Sequence, residues 1–216
     1  MRWTASQLGP CGYANVLSKS RKRTPSQRVA MDRGTLFHEC VRLGKDAEDP
    51  EVQTWVVKAR DALKLPPSVE FERALGLSVD GRHVPVEETE PHVYKPLASH
   101  KMLTAGRADV CWFEAPVAVV GDMKTGRDHL GPPERLPQIA ALGFAAADAY
   151  GAEAMRLGVY YARDGVWEWS EDIGLDSDKA AELWDMVSTY ARVDESPRPG
   201  TYCGACWERK GCAHAA

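Results

Sequence analysis

The chain has no long apolar run. Its longest stretch of apolar residues and glycine, Ile139 to Ala147, falls far short of the roughly 20 residues a membrane helix needs, and the opening MRWTASQLG lacks the apolar core of a secretory signal. No membrane association and a cytoplasmic location are therefore expected. Positive charge is also scarce: 27 Lys and Arg stand against 31 Asp and Glu, a formal net charge of −4. That balance argues against a protein that coats nucleic acid indiscriminately, and says little about local patches. Repeats and low-complexity segments are missing too, so the order of elements carries most of the information. What is present, 44% apolar and 27% charged residues over 216 positions, is the composition of an ordinary globular protein with one well-filled core.

One basic patch stands out. Leu17 to Arg28, LSKSRKRTPSQR, carries Lys19, Arg21, Lys22, Arg23 and Arg28 without an acid. Such a segment can meet a phosphate backbone, with Arg21, Lys22 and Arg23 as the contacts, although taken alone it reads as a solvated loop.

The patterning is mixed. Asp32 to Ala47 reads as a helix with Leu36, Phe37, Cys40 and Val41 in an apolar stripe. Asp49-Pro50 opens a second helix, with Val52, Trp55, Val56, Ala59 and Leu63 on one face. Val69 to Val79 is a strand, Asp80-Gly81 a hairpin turn, and Arg82 to Glu87 the return strand. Met102 to Glu114 and Pro116 to Lys124 form the next strand pair. Leu136 to Tyr150 is an alanine-rich helix, Met155 to Ala162 and Val166 to Trp169 are strands, and Asp176 to Arg192 is a closing helix. This order predicts an α/β domain with a mixed sheet covered by helices.

The apolar run Pro116 to Val120 ends on Gly121-Asp122-Met123-Lys124-Thr125-Gly126. Strand side chains alternate with period two, so Asp122 and Lys124 share a face. Phosphodiester hydrolysis uses a metal ion, hard oxygen ligands to hold it, and a cation or base near the attacking water. Asp122 and Lys124 can supply two of these, and Asp109, which interrupts the apolar context of GRADV one hairpin upstream, is the natural second carboxylate. An acid and a lysine at this spacing are also a common surface ion pair. His38, between apolar neighbours in GTLFHE, is a further possible ligand. Glu70 and Glu72 share a face in VEFER; one could support the site and one is expected to be simply exposed. The glycines flanking Asp122 and Lys124 are expected to leave room for a nucleic-acid backbone.

Cys40 and Cys111 fall within a helix stripe and a strand, and read as buried small apolar residues. Cys203, Cys206 and Cys212 have a C-x2-C-x5-C spacing that points to metal thiolate. A fourth ligand is needed. His214 would complete a local zinc site, as in a non-catalytic nucleic-acid- or protein-binding module, whereas Cys11 would give four thiolates and tie the N-terminal segment to the tail.

In this order GTLFHE, GRADVCWFE, VVGDMKTG, a glutamine on the following helix, an early cysteine and the terminal cysteine cluster resemble the RecB-like branch of the PD-(D/E)xK nucleases. They are most similar to its iron-sulfur members: CRISPR-associated RecB-like exonucleases, related phage exonucleases and the AddB nuclease domain. The resemblance runs from Cys11 to Cys212. It implies a single restriction-endonuclease-like domain, with residues 31–194 as nuclease core and residues 1–30 and 195–216 as cluster-binding segments. It implies manganese or magnesium held by His38, Asp109, Asp122 and the carbonyl of Met123, with Lys124 activating the attacking water. Cys11, Cys203, Cys206 and Cys212 would bind a four-iron four-sulfur cluster, zinc being the other reading of the same cysteines. Gln138 would help bind DNA. At the fourth position after it the family pattern has a tyrosine, where this chain has Leu142. The implied activity is exonuclease action on single-stranded DNA or DNA ends, alone or in a recombination or CRISPR adaptation complex, in a bacterial, archaeal or phage-infected cytoplasm.

Overall fold

In the computed structural model of the chain, residues 24–90, 93–96, 101–126 and 130–191 are described. Helix α1 (Pro25–Leu43) begins well before Asp32, because Thr24 and Gln27 form a reciprocal capping box and Pro25 fits the first turn, where no N–H is needed. The segment from Pro25 to Arg28 is therefore helical rather than loop. The helix also stops short of Ala47. Gly44, with φ 64°, turns the chain out, and its N–H bonds back to the Cys40 and Val41 carbonyls. Helix α2 (Pro50–Ala62) starts at Asp49, whose carboxylate accepts from the N–H groups of Glu51 and Val52. It carries the expected stripe of Val52, Trp55, Val56 and Ala59 against Phe37 and Cys40 of α1.

Among the described residues nine strands follow: β1 (Glu70–Ser78), β2 (His83–Val84), β3 (Val86–Glu90), β4 (Val93–Pro96), β5 (Met102–Glu114), β6 (Val117–Lys124), β7 (Ala154–Tyr161), β8 (Val166–Trp169) and β9 (Ile173–Gly174). Helix α3 (Pro137–Tyr150) crosses between β6 and β7, and α4 (Asp178–Ala191) ends the described chain. The main sheet has the order β2-β1-β5-β6-β7-β8, with β9 pairing the far end of β7. β6 and β7 run parallel and the remaining pairs antiparallel, so the sheet is mixed. The return strand after Asp80-Gly81 departs from expectation. Only His83 and Val84 pair with β1, and after Pro85, which has no N–H for the ladder, the chain leaves to form a separate β3-β4 hairpin.

Helices cover both faces. On one face α3 packs against Ala118, Val120, Leu157 and Val159, with Leu183 and Val187 of α4 behind it. Small residues bring α3 very close: a Cβ on Gly143 would lie 2.5 Å from Leu157 Cδ2 and 2.9 Å from Met155 Sδ. On the other face α1 and α2 bury Met123 and Tyr160, with the Phe37 ring stacked 6.4 Å from that of Tyr160. Each large apolar side chain buried this way contributes roughly 1.5–3 kcal/mol. Among the described residues no helix is long and apolar enough to cross a membrane.

Candidate metal-binding cleft

Strands β5 and β6 each carry a buried or half-buried acid where their pairing ends. The ladder runs from Glu114 and Val117 to Val110 and Gly121. One step further Asp109 stands opposite Asp122, and the freed Met123 N–H donates to Asp109 Oδ2 at 2.5 Å. Met123 turns its side chain into the core of the other face, as period two requires. Asp122 and Lys124 share a face as expected, with Nζ 2.7 Å from Oδ2.

Each neighbour holds this strand end in place. Gln138, in the first turn of α3, donates its amide to Asp122 Oδ1 at 3.0 Å. The Lys124 carbonyl accepts from the Ala162 N–H at 2.9 Å, and the Thr125 carbonyl accepts from Arg163 Nε at 2.9 Å. Helix α1 approaches through Gly34, where a Cβ would lie 3.0 Å from Thr125 Oγ1. One residue past the buried Phe37, His38 faces the acids, its Nδ1 3.4 Å from Asp109 Oδ1 and 3.9 Å from Glu72 Oε1.

These side chains line one open cleft of 680 Å³. Among its wall residues are Arg42 of α1, Arg107 of β5 and Tyr94 of the β3-β4 hairpin, none of which the sequence reading assigned. Glu72 belongs there as well, with Arg107 Nε 2.6 Å from its Oε2, while Glu70 is the exposed one of the pair. Arg107 also reaches Glu88 at 3.3 Å. The signal that could have placed Glu72 is its parity with Glu70 once β1 is registered on β5.

The electrostatics follow from packing like charges out of water. Burial pushes the Asp122 carboxyl well above the usual carboxylate range, and nearby Asp109 adds to this against the pull of Lys124. Asp109 is buried too, yet protonated His38, the Met123 N–H and Lys124 outweigh burial and hold it low. In return Asp109 raises His38 against the opposing effect of its burial. Glu72 is raised by burial and by Asp109. Lys124 keeps its proton more firmly than usual because Asp122 outweighs desolvation.

One atom is left over. Asp122 is only 4% exposed, and its Oδ2 has no aligned hydrogen-bond donor; Lys124 is within ion-pair distance but poorly directed. A buried carboxylate oxygen without an aligned donor, beside a second carboxylate and an imidazole, is a donor set that suits a hard divalent cation. His38, Asp109, Asp122 and Lys124, separate in sequence, are thus brought together, with Gln138 at their side.

Other expectations meet a different outcome. Gly121 leaves no room for a nucleic-acid backbone: a Cβ there would lie 2.6 Å from the Trp167 ring and 2.7 Å from Val110 Cγ2, so the space belongs to an indole. Gly126 has open space around it. Leu142 is a core residue of α3, 2% exposed. Cys40 and Cys111 are buried free thiols, as read. Cys11, Cys203, Cys206, Cys212, His214, Arg21, Lys22 and Arg23 lie outside the described residues.

No family model and no curated protein matches the chain. A solved structure, that of SSO0001, is 16% identical, covers 78% of this chain and 72% of its own, and gives a TM-score of 0.39. At that level the likeness supports no statement about fold or function.

Proposed function

We propose that the protein is a metal-dependent deoxyribonuclease with a restriction-endonuclease-like core, acting as an exonuclease on single-stranded DNA or DNA ends. The observation that carries this reading is the convergence of His38, Asp109, Asp122 and Lys124 in one open cleft, with Asp122 Oδ2 lacking an aligned donor.

His38, Asp109 and Asp122, with the Met123 carbonyl, would hold manganese or magnesium, the imidazole favouring manganese. Bound there, the ion supplies Lewis-acid stabilisation of the charge that develops on the phosphate oxygens. The chain's own groups do the rest. The Met123 N–H fixes the Asp109 carboxylate through Oδ2, leaving Oδ1 toward His38. Gln138 orients Asp122 through Oδ1. Lys124, which retains its proton beside Asp122, directs its ammonium at the water or the oxyanion rather than accepting a proton. The cysteine spacing supports a metal thiolate, and the resemblance to the iron-sulfur nucleases makes it a four-iron four-sulfur cluster on Cys11, Cys203, Cys206 and Cys212. Anaerobically purified protein should then be brown and lose that colour in Cys11→Ala; colourless protein holding zinc would refute the cluster.

The test of the activity is digestion of end-labelled linear and circular single-stranded DNA with manganese. Lys124→Ala and Asp109→Ala should each lose at least about a hundredfold in rate. Equal rates in the wild type and both variants would refute the reading, and cleavage of the circle would replace exonuclease by endonuclease.

A further inference from the structure

Glu72 stands outside the ligand set assigned above, yet the fold places it in the same cleft. On β1 it lies between the Phe71–Val110 and Arg73–Ala108 pairs, opposite Asp109. Glu72, Asp109 and Asp122 thus form a row across three hydrogen-bonded strands. Its backbone has φ 56°, the only positive φ among the described residues other than glycine, a conformation that side chains rarely adopt.

The two oxygens of its carboxylate have different surroundings. Oε2 is taken by Arg107 Nε at 2.6 Å. Oε1 faces His38 Nδ1, and a ligand atom from each of His38, Glu72 and Asp109 falls within 4.8 Å of the others. Ligand atoms about 2.1 Å from a common ion lie about 3 to 4 Å apart, so this triangle needs only small side-chain movements to close on one ion. An independent observation points to the same place. Asp122, only 4% exposed, lines the same cleft, and its Oδ2, though 2.7 Å from Lys124 Nζ, has no aligned hydrogen-bond donor.

We propose that Glu72 is a metal ligand: its Oε1 joins His38 and Asp109 on the divalent cation, and Arg107 holds Oε2 so that the carboxylate points inward. The proposal rests on the nuclease reading for the cation itself and adds a ligand from β1 that this reading does not contain. It also gives Arg107 a positioning role, fixing a ligand as outer partners of metal sites do.

The experiment is Mn2+ binding to the metal-free full chain, followed by calorimetry and by the electron paramagnetic resonance of free Mn2+. Glu72→Gln should weaken binding by at least about tenfold, and Glu72→Asp should recover part of the loss. The Co2+-loaded Glu72→Gln protein should have an altered visible spectrum. Glu70→Gln should bind as the wild type does, and Arg107→Gln should lose less than Glu72→Gln. If Glu72→Gln binds Mn2+ like the wild type while Asp122→Asn does not, the proposal falls and the nuclease reading stands. An equal loss in Arg107→Gln and Glu72→Gln also overturns it, since Glu72 would then act only as the partner of the arginine. A wild type that binds no Mn2+ removes the nuclease reading, and this proposal with it.

Discussion

The two ends of the β5-β6 pair are built from the same ladder and do opposite things. From Val110 to Phe113 and from Ala118 to Gly121 the strands are paired and apolar, with Cys111, Ala118, Val119 and Val120 fully buried. At Asp109 and Asp122 the pairing has ended, and two carboxylates are packed almost as deeply against a histidine and a lysine. The first end gains free energy from burial, and the second gives some up, because each buried charge loses hydration that its partners only partly restore. Excess stability is therefore expected at the paired end, and chemistry at the other.

Two adjacent residues of α1 make the sharpest break in that comparison. Phe37 is 0% exposed between the Trp55 and Tyr160 rings, and its replacement by alanine should cost about 3–5 kcal/mol in a urea titration. His38 next to it faces the cleft. Under the proposed nuclease function, His38→Ala should lower the rate of Mn2+-dependent DNA digestion by about a hundredfold or more, equivalent to roughly 2.7 kcal/mol in the barrier, and move the urea midpoint little. A His38→Ala protein as unstable as Phe37→Ala would show that the cleft is merely an extension of the core.

How far the sequence discloses this division depends on whether a feature is local. Alternation along an unbroken apolar run is local, so Met102 to Glu114 is the observed span of β5 and the GDMKTG strand end lies where expected. The start of α1 escaped because its capping box, Thr24 to Gln27, sits inside a basic stretch that reads as loop. The β3-β4 hairpin escaped because Pro85 diverts the return strand, and its other half, Val93–Pro96, has no pattern of its own. Glu72 and Gly121 are harder still. The place of Glu72 depends on the register of β1 on β5, and the space beside Gly121 is taken by Trp167 of β8. Such pairings across the chain leave no spacing to read.

The paired end has its own pH signature. Burial pushes the Cys111 thiol up to about 11 from an ordinary value of 9.0. The folded state therefore keeps a proton that the unfolded chain releases, so the stability from this group is complete below about pH 9 and is lost as pH rises toward 11. Two pH units correspond to about 2–3 kcal/mol. Between pH 8 and 11 the urea midpoint should fall more steeply in the wild type than in Cys111→Ala; parallel slopes would mean that the thiol does not contribute.

The smallest expected effect tests the other end most directly. Asp122 is 4% exposed and opposite Asp109, so without a divalent cation its charge is poorly compensated. Asparagine can still accept the Gln138 amide, and Lys124 keeps Asp109 as a nearby carboxylate. Asp122→Asn should then raise the stability of the chelator-treated protein at pH 7 by about 1 kcal/mol, while abolishing the proposed Mn2+-dependent cleavage. Saturating Mn2+ should reverse the order, since an ion bound only by the folded wild type stabilises it by mass action. Melting temperatures of the two proteins with chelator and with Mn2+ decide the matter. If Asp122→Asn is the less stable protein in chelator, the pair with Lys124 outweighs the desolvation of the carboxylate, and the contrast between the two strand ends is one of function alone.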